Sequence, residues 1–98
     1  METVVSLRPL FPLGHLVCTS GAMDLMTRTG TTVSSLLKRH LYGDWGKRCE
    51  SDKQANDLAV TNGTRILSAY LLGEQQEKLW LITEADRSAT TFLTPDEY

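Results

Sequence analysis

The sequence lacks most of the motifs that reveal an enzyme. Its 98 residues include only two cysteines and two histidines, with no Cys-x-x-Cys pair and no histidine at the spacing of metal ligands. There is no Gly-x-Ser-x-Gly nucleophile elbow and no glycine-rich phosphate loop. These absences argue against a zinc site, a serine-hydrolase nucleophile and a nucleotide-binding loop. The sequence therefore predicts no catalytic residue, no metal and no cofactor.

Long apolar segments are missing as well. No run approaches the ~20 residues needed to cross a bilayer. The opening METVVSLRPLFPLG contains an acid and two prolines, which a secretory signal would not. We therefore expect a cytoplasmic protein with no membrane partner. In that compartment Cys18 and Cys49 should be reduced, and a disulfide or a reactive thiol is the alternative.

The charge is modest and unevenly divided. Residues 1–49 carry six basic and three acidic side chains, whereas residues 50–98 carry four basic and nine acidic ones, which gives a net charge of −2 for the chain. Such an uneven charge distribution can guide the approach of a charged partner. The closest approaches to a basic patch are Lys38-Arg39-His40 and Lys47-Arg48, so nucleic-acid binding is not expected.

The apolar pattern predicts one α+β domain preceded by an arm. Residues 1–12 contain two prolines and show no clear period, so we expect a flexible N-terminal arm there and a single domain over 13–98. Residues 15–19 favour a strand. A first helix should begin at Ser20, which can cap it, and end at Gly30.

Two further helices are predicted. Thr31 or Thr32 can begin the second, which carries a clean apolar stripe at helical spacing. The stripe consists of Val33, Leu36, Leu37, His40 and Leu41. This helix should stop at the link 43–46. The third helix is predicted from the capping-box spacing of Ser51 and Gln54. Its expected inward residues are Ala55, Leu58 and Ala59.

The C-terminal third predicts strands. Apolar runs at 64–72, 79–84 and 89–94 are separated by short polar turns, which favours an antiparallel meander. Neither face of the first of these strands is fully polar. We therefore predict an α+β fold with an antiparallel sheet of three to four strands. About three helices should pack mainly on one face, and a partly apolar patch should remain on the other.

The candidate binding residues surround this predicted sheet. The turn before the last strand places two carboxylates, a guanidinium and a hydroxyl together, which is more polar and charged groups than a turn needs to close. Two tryptophans are large amphipathic anchors; Trp80 fits either core packing or the centre of a binding hot spot. The candidate binding residues are Asp44, Trp45, Tyr70, Trp80, Glu84, Asp86, Arg87 and Ser88. Arg87 fits either a local ion-pair lattice or a recognition role.

An enzyme is the alternative interpretation of the same residues. A small hydrolase or a metal-dependent nuclease could be built on Asp44, Glu84, Asp86 and Arg87, provided that the chain brings them together. The histidines, His15 and His40, are expected at core or boundary positions rather than in catalysis. A structural homodimer without a ligand is a third interpretation.

Four segments resemble a known family. They are PLGHLVCTSGAMDLM, YGDWG, NDLAVTNGTRILSAYLL and KLWLITEADRSATTFLTPDEY, which together cover about 13–98. They resemble small bacterial proteins of plasmids and other mobile elements, some of which are labelled as a type I restriction methylase subunit. The chain lacks the length and motifs of a methyltransferase. The resemblance implies a non-enzymatic accessory protein that binds a protein partner, with an anti-restriction or anti-CRISPR role.

Overall fold

The structure, a computed structural model, describes residues 9–98 and contains three α-helices and a four-stranded sheet in that range. In chain order the elements are β1 (His15–Cys18), α1 (Ser20–Thr29), α2 (Val33–Leu41), α3 (Glu50–Asn62), β2 (Ile66–Leu72), β3 (Glu77–Thr83), β4 (Ala89–Leu93) and a short 3-10 helix (Pro95–Glu97). The predicted α+β class is confirmed.

The sheet has the strand order β1-β4-β3-β2. Its last three strands form the predicted antiparallel meander, in which Ala69 lies opposite Trp80 and Trp80 lies opposite Leu93. The sheet as a whole is mixed, because β1 runs parallel to β4. Parallel strands need a long crossover connection, and here all three helices and two strands lie between the paired strands in sequence.

Two of the three predicted helix starts differ from the structure, whereas the predicted end of α1 is confirmed. Thr19 rather than Ser20 caps α1, Thr32 caps α2, and Gly30 ends α1 in the left-handed conformation at φ 69°. The predicted capping box of α3 is wrong. That helix begins one residue before Ser51, and no side chain caps it, because Ser51 already lies in its first turn.

The main core lies between one face of the sheet and the first two helices. It contains Ala22, Leu25, Met26, Leu36, Tyr70, Leu72, Leu79, Leu81 and Phe92. The predicted stripe of α2 is confirmed at Leu36 and His40, which are buried, whereas Val33 is exposed. The interpretation of His40 as a core histidine is also confirmed.

The end of the predicted arm belongs to this domain. Residues 1–8 lie outside the described part of the chain, but Phe11 is only 5% exposed and packs in a second cluster with Trp45, Ala59 and Ile66. The backbone N–H of Leu10 donates to the carbonyl of Leu41 at 2.9 Å. Burial of the aromatic ring offsets the entropic cost of ordering these residues, so the predicted boundary at residue 12 is corrected.

Helix α3 packs along an edge of the sheet rather than on its face. Ala55 and Leu58, both expected to point inward, are exposed, Leu58 by 63%, while Ala59 is buried as predicted. The other buried residue of α3 is Asn56, whose side-chain amide donates to the carbonyl of Leu67 and accepts from its N–H. Because β2 is an edge strand, its backbone needs polar partners, and an amide supplies them where a leucine would not.

Candidate binding groove on the open sheet face

The sheet face opposite α1 and α2 carries the candidate site. Alternation along β2 puts Tyr70 and Leu72 in the main core, so Leu67 and Ala69 point the other way. Trp80 lies directly opposite Ala69 on β3 and therefore shares that side. This face forms the floor of a groove.

One wall of the groove is the link between α2 and α3. Gly46 pairs with Ala69 as a single parallel bridge. The N–H of Ala69 donates to the carbonyl of Trp45 at 3.0 Å, and the N–H of Lys47 donates to the carbonyl of Ala69 at 2.6 Å. Gly46 has φ 78°, and a Cβ there would collide with the Ala69 carbonyl oxygen. Only glycine permits so close an approach.

The groove encloses about 400 Å³ between this wall and the sheet. Its lining residues are Lys47, Arg48, Cys49, Asp52, Leu67, Ala69, Lys78 and Trp80. A neighbouring hollow of about 430 Å³ shares the first three of these and adds Gly46 and Lys53. The two hollows together form one surface, which we call the groove.

The groove is positively charged. Four cations, from Lys47, Arg48, Lys53 and Lys78, line it against the single carboxylate of Asp52. That carboxylate pairs with Arg48 at 3.3 Å. Within residues 9–98, none of the three lysines makes a salt bridge. Three lysine charges therefore remain for a ligand, although the whole chain has a net charge of −2.

Trp80 is half-buried at the floor of the groove. The ring of Tyr98 meets it edge-on, with centroids 5.6 Å apart. Arg65 donates to the Tyr98 hydroxyl at 2.6 Å. These contacts fix the orientation of the indole while leaving part of it accessible, so the proposed hot-spot residue lies on the open face rather than in the core.

Three other predicted site residues have structural contacts. The Trp45 indole is buried and donates to Asp57 Oδ1 at 2.9 Å. Tyr70 is fully buried, its hydroxyl donates to the carbonyl of Asp44 at 2.7 Å, and burial raises its pKa. Asp44 accepts from Arg39 at 2.6 Å, and this hydrogen bond holds the pKa of its carboxyl below the usual value. Of this group, only Asp44 is exposed.

The polar turn before β4 is held by backbone contacts. Arg87 donates to the carbonyls of Thr64, Ala59 and Glu84 at 2.7, 2.8 and 3.1 Å. In the described part of the chain its guanidinium has no carboxylate at ion-pair distance, so the predicted ion-pair lattice is replaced by a clamp on carbonyl groups. Its φ of 61° is unusual for a non-glycine residue.

Asp86 and Ser88 form a small local turn in the same segment. The carboxylate of Asp86 accepts from the Ser88 N–H at 2.9 Å. Hydrogen bonds from the Ser88 side chain and backbone hold the pKa of Asp86 below its usual value. The carbonyl of Ser88 accepts from the N–H of His15, the first residue of β1, at 2.9 Å. The segment therefore joins β1, α3 and the loop between α3 and β2, and its residues are not among those that line the groove.

The residues of the enzyme interpretation do not share a cleft. The hollow that contains Asp44 is lined otherwise by Arg39, Gly46, Lys47, Tyr70 and Leu71. Glu84, Asp86 and Arg87 are absent from that lining. Among residues 9–98, no group of three or more His, Cys, Asp or Glu side chains is placed to hold a metal ion.

Sequence reasoning missed the cations that line the groove. Lys47 and Arg48 were visible as an adjacent basic pair, but Lys53 and Lys78 belong to α3 and β3 and approach the pair only in the folded chain. A weak signal was present in that basic pair, which immediately follows the Gly43–Gly46 link. Nothing in the sequence indicated Asn56.

Comparison of the chain with protein-family models, with curated proteins and with solved structures found no match. In the range that the structure covers, no helix is both long and apolar enough to cross a membrane. The class of protein is therefore defined by its own geometry: a small α+β domain with a cationic groove centred on a tryptophan.

Proposed function

We propose that this chain is a small non-enzymatic accessory protein of a mobile genetic element and that it acts by binding a protein partner. We further propose that the partner belongs to a host defence system of the restriction or CRISPR type. The binding part of the proposal is supported by the groove. The biological setting is supported by the sequence resemblance, which includes the segments 43–46 and 82–91.

The observation that carries the binding proposal is the placement of Trp80. Hot spots in protein interfaces are enriched in tryptophan, and they lie in pockets surrounded by polar residues that exclude water. Trp80 is half-buried, fixed by Tyr98, and bordered by the exposed side chains of Lys47 and Lys78. Accessible indole surface with a polar rim is the arrangement that a protein interface uses.

The test is affinity capture with a matched control. The purified chain is immobilised and exposed to a lysate of a bacterial host, and bound proteins are identified and then purified for reconstitution. We expect binding of the purified partner to be lost in Trp80→Ala and retained in Leu58→Ala. Leu58 is the matched control because it is 63% exposed and lies outside the groove. Circular dichroism checks that both variants are folded.

A partner that binds the Trp80→Ala variant as tightly as the native chain would contradict the proposal. The defence role has its own measurement, which is phage plating on a host with an active restriction or CRISPR system. Expression of the native chain should raise plating efficiency, and expression of Trp80→Ala should not. Equal plating with and without the chain across such systems would reject that role while leaving protein binding intact.

A further inference from the structure

The groove has the chemistry to select one kind of partner surface. We infer that it binds an acidic segment of the partner protein, with carboxylates placed against the lysines and an apolar or aromatic side chain placed on Trp80. This inference rests on the proposed function, since it names the chemistry of the partner for the same site.

Charge complementarity is the first argument. The groove contains four cations and one carboxylate, and that carboxylate is already paired with Arg48. Three lysines with no salt bridge in the described structure line the same groove. Such local positive potential attracts carboxylates and disfavours the binding of basic partners, because bringing like charges together raises the free energy of the complex.

The apolar floor is the second argument. Leu67 and Trp80, which are both half-buried, contribute accessible carbon surface beneath the charged rim, and Ala69 is buried between them. A purely acidic ligand would leave this surface in water, whereas a segment with alternating acidic and apolar side chains would cover it. Burial of apolar area supplies affinity, and the rim charges supply orientation and rate of association.

The sheet edge decides how the segment binds. The outward backbone groups of β2 are already paired at residue 67 by Asn56 and at residue 69 by Trp45 and Lys47. A partner strand therefore cannot add to β2 at these positions by main-chain hydrogen bonds, which is the usual mode at a free edge. Beside residues 67 and 69 the segment therefore contacts the groove through its side chains.

A nucleic acid is the less favoured ligand. Polynucleotide binding uses a track of phosphate contacts, roughly 6–10 in a well-bound complex. The groove offers four cations around one indole. The basic surface is also not continued along α3, where Glu50, Asp52 and Asp57 are exposed. A short acidic segment matches the size and charge of the groove better than a nucleic acid.

The experiment uses the full chain and three defined probes. They are a short synthetic peptide in which Asp and Glu alternate with Leu and Phe, the same peptide with Lys in place of every acid, and an oligothymidine. Binding is measured by fluorescence anisotropy and mapped by the indole and amide NMR shifts. We expect the acidic peptide to bind, to shift the Trp80 indole signal, and to weaken as salt is added.

Charge reversal supplies the matched comparison. Lys78→Glu should weaken acidic-peptide binding about tenfold, since the variant replaces an attraction by a repulsion. Lys38→Glu changes the net charge equally at an exposed site outside the groove and should change binding less than about twofold.

Three outcomes would overturn the inference. The first is that the acidic peptide fails to bind, and the second is that the two charge reversals have equal effects. The third is that oligothymidine binds more tightly than the acidic peptide through the same indole signal, which would make the groove a nucleic-acid site. None of these results decides the proposed function, because capture and reconstitution of a partner through Trp80 are scored with different ligands.

Discussion

Acidification should destabilise this fold through His40, a buried histidine in a closed hydrogen-bond network. Its Nδ1 lies 2.6 Å from the Ser68 hydroxyl and its Nε2 lies 2.8 Å from the Thr83 hydroxyl. The Thr83 hydroxyl in turn lies 2.7 Å from that of Thr90, which donates to the carbonyl of Leu13 at 2.9 Å.

The network fixes the tautomer of the neutral ring. A carbonyl can only accept, so Thr90 is the donor there and must accept from Thr83. The single hydroxyl hydrogen of Thr83 is thereby used, so His40 Nε2 carries the hydrogen and donates to Thr83. Nδ1 is the unprotonated nitrogen and accepts from Ser68. A second proton on the ring would have to enter a site that is closed to water.

The size of the effect follows from the pKa of this residue. His40 is fully buried, and desolvation lowers its pKa from 6.5 to about 4. Because the unfolded chain binds the proton more tightly, stability is fully present above pH 6.5 and is lost as the pH falls toward 4. The linkage relation gives a loss of about 2 kcal/mol at pH 5 and about 3 kcal/mol once both states are protonated.

The assay is urea unfolding at a series of pH values between 7 and 5. Trp45 is a built-in reporter, since its ring centroid lies 5.9 Å from that of His40. Below this range other groups contribute, because the pKa values of Asp44 and Glu97 are also lowered in the folded state, that of Glu97 to about 2 by a hydrogen bond from the Thr19 hydroxyl. The window above pH 5 therefore isolates the histidine.

Two variants control the experiment. His40→Gln keeps a side chain with a donor and an acceptor but removes the titration, so its stability should be nearly flat between pH 7 and 5. His15→Gln removes the other histidine, which is exposed, and should behave like the native chain. Equal losses of stability in the native chain and in His40→Gln would refute the reasoning.

Three further predictions concern stability. Arg87→Ala should cost about 1–3 kcal/mol, because it removes hydrogen bonds from a charged donor and leaves the carbonyl of Thr64 without its donor, whereas the carbonyls of Ala59 and Glu84 keep backbone donors; if its unfolding midpoint equals that of Arg65→Ala, the clamp contributes nothing. Leu36→Ala should cost about 2–5 kcal/mol in denaturation experiments. Leu37→Ala should cost clearly less because Leu37 is only half-buried, and the reverse order would contradict the assigned face of α2. Gly46→Ala should lower the melting temperature and increase aggregation in light scattering, since it separates the link from the edge strand.

Local patterns in the sequence predicted those features of the fold that depend on residues close together in the chain. The meander of β2, β3 and β4 was predicted because short turns bring consecutive strands together, and its register follows from alternation. The buried face of α2 was predicted because Leu36 and His40 recur at helical spacing. In both cases the information lies within a few residues of the element that it determines.

Contacts between segments that are far apart in the sequence could not be predicted from such local patterns. Arg87 bonds carbonyls 23 and 28 residues away, and no pattern in its own turn distinguishes this clamp from an ion pair. The inward residue of α3 was mispredicted for a related reason. Apolar periodicity favoured Leu58 as the inward residue. The helix meets a sheet edge, however, and there the inward residue must form hydrogen bonds with the strand backbone, as Asn56 does. The cations of the groove likewise come from α3, β3 and the preceding link.

Edge protection and the groove are one structural feature. In a strand, alternate residues direct their backbone groups to the same edge and their side chains to the same face. The backbone groups of residues 67 and 69 of β2 pair with Asn56 and with the link, so the side chains of both residues lie on the sheet face that forms the groove floor. The link that closes the edge therefore also delivers Lys47 and Arg48 beside that floor. A variant that frees the edge at residue 69 must displace the link that carries Lys47 and Arg48, so loss of ligand binding and gain of aggregation should appear together.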